Sequence, residues 1–158
     1  MLHVSKPAES NASPDASLDF CLRLTRACAI LVRRLDNGLG TVHGLSFNDF
    51  IVLYHLRHAP GERLRRIDLA ERLGLTASGV TRTLLPLEKL GLVARLSDPR
   101  DARVAFAILT KAGATLFEHA LVSAHAISKE TTQLAAADEI EATARLLGQL
   151  AGFSASTS

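Results

Sequence analysis

Apolar positions recur at helical spacing through most of the chain and break into strand-like runs only between Val93 and Leu109. Leu18 to about Asp36 carries Cys21, Leu24, Cys28, Leu31 and Leu35 at steps of three and four, which predicts a helix with a heptad-like stripe. Asn37-Gly38 and Gly40 are expected to end it, because they permit left-handed backbone. Ser46 caps a second predicted helix to about His58, with Phe47, Phe50, Ile51, Tyr54 and Leu56 as its packing residues, and Ala59-Pro60-Gly61 stops it. A short helix follows on Ile67, Leu69, Ala70 and Leu73 and closes at Gly74. Thr76 then caps a helix to about Leu90, which Gly91 terminates.

The runs Val93–Leu96 and Val104–Leu109 flank the turn Asp98-Pro-Arg-Asp-Ala-Arg103 and predict a β-hairpin. Thr110 caps a long helix to about Ser128 with Ala112, Leu116, Ala120, Leu121, Ala124 and Ile127 as apolar positions. A last helix begins near Asp138, with Asp138, Glu139 and Glu141 at its positive end and Ile140, Ala144, Leu147 and Ala151 on its apolar side. Residues 1–17, with Pro7, Pro14 and several serines, are expected to be a mobile tail. The class that follows is mainly α with a small β-hairpin wing.

A helix pair can place one helix in a DNA groove, and an arginine-tipped hairpin beside it can reach the neighbouring groove. Charge agrees with that use. The net charge is only +2, yet Arg57 to Arg103 holds ten Lys/Arg against six Asp/Glu, so the positive balance is concentrated in the reader. Seven Phe and Tyr residues are a thin supply for stacking on single-stranded bases. Two cysteines on one predicted helix make no disulfide framework, and the first 17 residues lack the apolar core of a signal peptide, so a soluble cytoplasmic protein is expected.

On the Thr76–Leu90 helix, Val80, Leu84 and Leu87 fall within about 60° of one another, and Ser78, Arg82 and Lys89 lie opposite, with Thr81 and Thr83 on the flanks. Arg82 can pair bidentately with a guanine edge, a contact worth roughly 1–3 kcal/mol of discrimination. Ser78 and the amino end capped by Thr76 can hold phosphate. The plainer alternative for Arg82 is a solvated surface residue. Pro86 lacks an N–H and is expected to leave the Arg82 carbonyl unpaired and kink the helix. Arg100, stiffened by Pro99, can enter a narrow minor groove. Arg103 braces the hairpin through Asp98 or Asp101, or contacts phosphate itself; the alternative for the whole tip is an ordinary charged turn.

Three runs at this spacing resemble the MarR family of winged-helix regulators: Ile67–Leu75 with Thr76–Arg82, Leu87–Val93, and Ser97–Arg103 continuing to Leu109-Thr-Lys-Ala-Gly113. The similarity extends over about residues 18–151 and is specific in the centre. It implies a homodimer with a helical dimerisation region at 18–45 and 111–153 and a winged helix-turn-helix DNA-binding domain at 46–110. The readers would then lie on a palindromic operator with half-sites about one turn apart. It further implies repression of a neighbouring gene, relieved when a small aromatic or phenolic ligand binds among helices one, two and five. There Phe47, Phe50 and Tyr54 offer ring contacts, and Arg23, Arg26 and His43 can receive a carboxylate.

Cys21 falls roughly where the hydroperoxide-sensing branch of that family places its reactive thiol, but Arg23, Leu24 and Thr25 stand where that branch has tyrosines. Cys21 and Cys28 are about 10 Å apart along the axis, too far for an unstrained disulfide within the helix, and the preferred reading of both is a buried small hydrophobe. His55 and His58 share a helix face without further ligands, so no metal or cofactor is expected. No nucleophile elbow or hydrolase spacing is present, so the chain is not expected to be an enzyme. A winged-helix protein-docking module, with Leu85 and Pro86 in an apolar contact patch, is the remaining alternative.

Overall fold

Ser46 shows how local chemistry sets the framework. Its hydroxyl accepts from the Asp49 N–H at 3.0 Å while the Asp49 carboxylate accepts from the Ser46 N–H at 3.0 Å. This reciprocal box starts α2 (Phe47–Arg57) at the predicted residue. The computed structural model describes residues 13–101 and 104–152. Its further elements are α1 (Pro14–His43), a 3₁₀ turn (Pro60–Glu62), β1 (Arg63–Arg65), α3 (Arg66–Leu73), α4 (Ala77–Lys89), β2 (Val93–Ser97), β3 (Ala105–Leu109), α5 (Lys111–Thr132) and α6 (Ala137–Leu150). The chain divides into two compact units, one ending at Arg33 and the other beginning at Arg34.

In the first unit α1 begins at Pro14, so the last four residues of the expected tail form its first turn, whereas residues 1–12 lie outside the described ones. No residue of α1 up to Arg33 is buried, and Cys21 and Cys28 are both exposed. Burial of the two thiols was the sequence expectation and does not hold in the chain taken by itself. Among its described residues this unit is a single helix, with no second element to cover the stripe on which they stand.

In the second unit, Asn37-Gly38 and Gly40 do not end α1, which continues to His43. Packing outweighs the roughly 1 kcal/mol that each glycine costs a helix. Leu35 and Leu39 are buried one turn apart, and the Asp36 carboxylate takes the Phe47 N–H at 2.7 Å. A Cβ on Gly38 would overlap the Ile127 side chain, so the glycine admits α5. The helix ends instead at Gly44, whose φ of +67° suits glycine.

The core of this unit joins α2 to α5, α3 and α4, around Leu53, Leu56, Leu69, Val80, Leu84, Leu87 and Phe117, each at most 1% exposed. Burial of each such side chain contributes about 1.5–3 kcal/mol. The buried face of α2 is Phe50, Val52, Leu53 and Leu56, so Tyr54 stands 43% exposed where packing was expected. Ile67 likewise departs from expectation at 71% exposed, with Leu69 and Ala70 facing inward instead. On α5 the buried positions are Gly113, Phe117, Ala120 and Ala124.

The expected hairpin is part of a three-stranded antiparallel sheet ordered β1-β3-β2. Leu64 of β1 pairs with Ala107, and Val93 and Ser97 of β2 pair with Leu109 and Ala105. Strand β1 is too short for a sequence period to reveal: of its three residues only Leu64 points inward. Thr110 joins sheet to helix, since its hydroxyl accepts from the Gly113 N–H at 3.0 Å and its N–H donates to the Leu92 carbonyl at 3.1 Å.

That carbonyl leaves no room for a side chain at Gly113. A Cβ there would overlap the Leu92 oxygen and come within 2.9 Å of Leu109 Cδ1. The Leu92 oxygen is already held by Thr110 and cannot retreat freely. Gly113→Ala is therefore expected to cost about 1–3 kcal/mol, the usual range for overpacking. Urea unfolding at fixed protein concentration measures this, and an unchanged midpoint would rule out the close approach.

Candidate nucleic-acid interface

Thr76 accepts from the Gly79 N–H at 3.2 Å and starts α4 where the sequence places it. Val80, Leu84 and Leu87 are buried, so the opposite face carries Ser78, Arg82 and Lys89 outward, all exposed. The helix is continuous through Pro86, and the Pro86 carbonyl accepts from the Leu90 N–H at 3.0 Å.

The polar side chains on this face are not equivalent. Arg82 makes no hydrogen bond or ion pair among the described residues, so its whole donor fork is available. The hydroxyls of Thr81 and Thr83 donate to the carbonyls of Ala77 and Gly79 at 3.1 and 3.0 Å, which leaves these residues a lone pair and a methyl group. Thr83 is also half-buried. Ser78 shares its hydroxyl with Thr76 at 3.2 Å. Lys89 stands seven residues beyond Arg82, about 10 Å along the axis.

At the wing tip the Asp98 carboxylate accepts from the Arg100 N–H at 2.7 Å, and the Asp98 N–H donates to the Val104 carbonyl at 2.9 Å. Asp98 is thus tied to the turn's own backbone, which fixes the base of Arg100 while its side chain remains exposed. The Val104 N–H donates to the Asp101 carbonyl at 2.9 Å. Arg103, expected as a brace or phosphate contact, lies outside the described residues.

The proposed effector residues separate into groups. In the second unit Phe47 stacks on Phe50 with centroids 6.3 Å apart, and Phe50 on Phe117 at 5.3 Å. Tyr54 meets Phe117 at 6.2 Å and lies 4.3 Å from the His58 ring. Phe50 is therefore already engaged in the core, and Phe117 and His58 join a ring cluster that the sequence did not assemble. His43 shares a hydrogen bond of 2.8 Å with Ser123. In the first unit Arg23 is paired with Asp19 at 2.6 Å, and Arg26 is exposed.

His58 Nδ1 donates to the Tyr54 carbonyl at 2.8 Å, and burial, then the charges of Arg72 and His58, hold the His55 imidazole below its ordinary pKa. Among the described residues no three His, Cys, Asp or Glu side chains are grouped to hold a metal ion, and no helix is long and apolar enough to cross a membrane.

Arg65, Arg66 and Arg95 belong to the surface as well, although only their charge was legible beforehand. With Ile67, Thr81 and Val104 they line a cleft of about 520 Å³ between α3, the amino end of α4 and the wing.

A helix pair with an outward arginine, closed by a three-stranded sheet with an extended hairpin, defines a winged-helix protein. Residues 43–104 match the model of the MarR family. No curated protein matches the chain in sequence. A MarR family transcriptional regulator of Streptomyces coelicolor, solved in complex with DNA, superposes with a TM-score of 0.79 at 23% identity, covering 89% of this chain and 88% of that one. A mutant MarR from E. coli with operator DNA gives 0.74 at 25% identity over 88% and 99% of the two chains. A probable transcriptional regulator of Pseudomonas aeruginosa gives 0.73 at 26% over 86% and 98%. The chain is thus similar to MarR family transcriptional regulators over residues 43–104, and its fold is that of the solved regulators it superposes on.

Proposed function

We propose that this protein is a homodimeric, sequence-specific DNA-binding regulator that represses a target promoter and is released by a small aromatic or phenolic ligand. The observation that carries the reading is Arg82, exposed and unpaired among the described residues on the face of α4 opposite its buried stripe, with Arg100 on an adjoining wing. A docking module has no need of an unpaired guanidinium there. The two relatives solved with DNA add weight to the same reading.

Apolar side chains that the single chain leaves in water support the dimer. Leu18 and Leu22 of α1 are 60% and 62% exposed, and α6 has no buried residue although it carries Ile140, Leu146, Leu147 and Leu150. A second copy is the occupant that removes them from solvent and sets two reader helices on a palindrome. Phe47 and Tyr54, still partly exposed beside Phe117, supply ring contacts for the ligand, and His43 supplies a polar one.

The test is binding of the purified protein to its own upstream intergenic DNA, titrated with salt and with an unrelated duplex. Tight binding at two chains per site, weakening steeply with salt, is expected. Phenolic acids are then added to the complex and should release it. Release by peroxide instead, lost in Cys21→Ser, would transfer sensing to the thiol. Affinity no better than for the unrelated duplex, also after selection from random sequences, would leave only the docking role.

A further inference from the structure

Arg66 opens α3 with its side chain only 15% exposed, and it faces Glu88, 22% exposed, near the end of α4. The nearest approach, Nη1 to Oε1, is 3.8 Å, well beyond the roughly 2.7–2.9 Å of a charge-assisted hydrogen bond. Arg66 Nη2 and Glu88 Oε1 are both buried without a hydrogen-bond partner. The two groups face each other without a hydrogen bond, so Glu88 neutralises the Arg66 charge only incompletely.

Arg66 opens onto the cleft between α3, α4 and the wing, in whose lining no carboxylate stands among the described residues. The Arg65 fork is occupied by Asp68 at 2.7 and 3.0 Å, whereas Arg95 makes no ion pair among the described residues. The cleft therefore holds one free guanidinium on the wing and one half-satisfied guanidinium at its base. Thr81, on its rim, belongs to the outward half of α4, beside Arg82. Ile67, 71% exposed, and Val104 add an apolar wall.

We infer that this cleft is a clamp for one backbone phosphate of the DNA duplex, gripped by Arg66 and Arg95, with Ile67 and Val104 against the adjoining deoxyribose. The inference rests on the DNA-reading function proposed above. A helix lying in the major groove has a sugar-phosphate strand on either side, and the space between reader helix and wing is where such a strand passes. The clamp carries no sequence information. It fixes the register in which Arg82 meets its base.

The experiment compares the wild type with Arg95→Gln and with the paired change Arg66→Gln/Glu88→Gln, which removes both buried charges together and so avoids stranding one. Each variant should weaken operator and unrelated duplex alike, by about tenfold per protomer, and lower the slope of log K against log salt by about 0.9 per protomer. A scan of single neutral methylphosphonates along the operator should find one position per half-site that costs the wild type about tenfold and the variants nothing more.

Unchanged slopes, or variants as sensitive as the wild type at every position, overturn the clamp while operator binding itself stands. Stabilisation of the wild type by inorganic phosphate, with DNA affinity unaltered in the variants, makes the cleft a free-anion site and also overturns it. A wild type that binds no duplex overturns the clamp and the DNA-reading function together.

Discussion

Arg82→Ala should leave the protein folded and remove its sequence preference. The side chain is exposed and makes no hydrogen bond or ion pair among the described residues, so its loss should shift stability by no more than about 0.5 kcal/mol. Its contribution to recognition is of another order. A bidentate guanine contact discriminates by roughly 1–3 kcal/mol, about 5- to 150-fold, at each half-site. The ratio of affinities for operator and random duplex should collapse accordingly, while the salt dependence of the residual binding persists, because the phosphate contacts remain. Competition titrations at a fixed salt concentration read that ratio directly. A variant that still discriminates would move base reading to Ser78, or to the methyl groups of Thr81 and Thr83.

The second large effect is expected in the core. Phe117 is 1% exposed, stacks on Phe50 at 5.3 Å and meets Tyr54 and His58 at 6.2 and 6.1 Å. Phe117→Ala empties the junction of α2 and α5 and should cost about 3–5 kcal/mol. For a chain of this length that lowers Tm by roughly 10 °C or more. Thermal melts at one protein concentration are required, since assembly would otherwise contribute to the apparent stability. A loss below about 1 kcal/mol would mean that the junction closes over the gap, and Phe117 would lose its place as the keystone of the ring cluster.

The reader was the most legible part of the chain because its signals are local. Thr76, Val80, Leu84 and Leu87 declare cap and buried stripe within four turns, and the buried positions leave one face for Arg82. Ser46 and Thr110 set helix starts in the same local way. Phe117 is hard to read from the sequence because Gly113, which shares its face, gives no apolar signal although it marks a close approach of α5 to Leu92. Gly38 and Gly40 misled for the converse reason. Their propensity argues for an end to α1, and only the fit of Ile127 and the burial of Leu35 and Leu39 show why the helix continues.

The candidate site divides along the same line. Arg82 and Arg100 stood out because each occupies a fixed place in an element that its neighbours define. Arg65, Arg66 and Arg95 were visible only as a surplus of charge, since a cleft between α3, α4 and the wing has no period and no motif.

The sequence by itself determined the class of protein, the order of the helices, the direction in which the reader helix points and the arginine it presents there. These depend on periodicity and capping, which act over a few residues. Tertiary structure alone decided where α1 ends, that Leu64 adds a third strand and that Arg66 and Glu88 approach without hydrogen-bonding. It also decided that Ile67 faces a cleft rather than the core. Each of these is settled by groups far apart in the chain, where packing and desolvation, not local propensity, set the free energy.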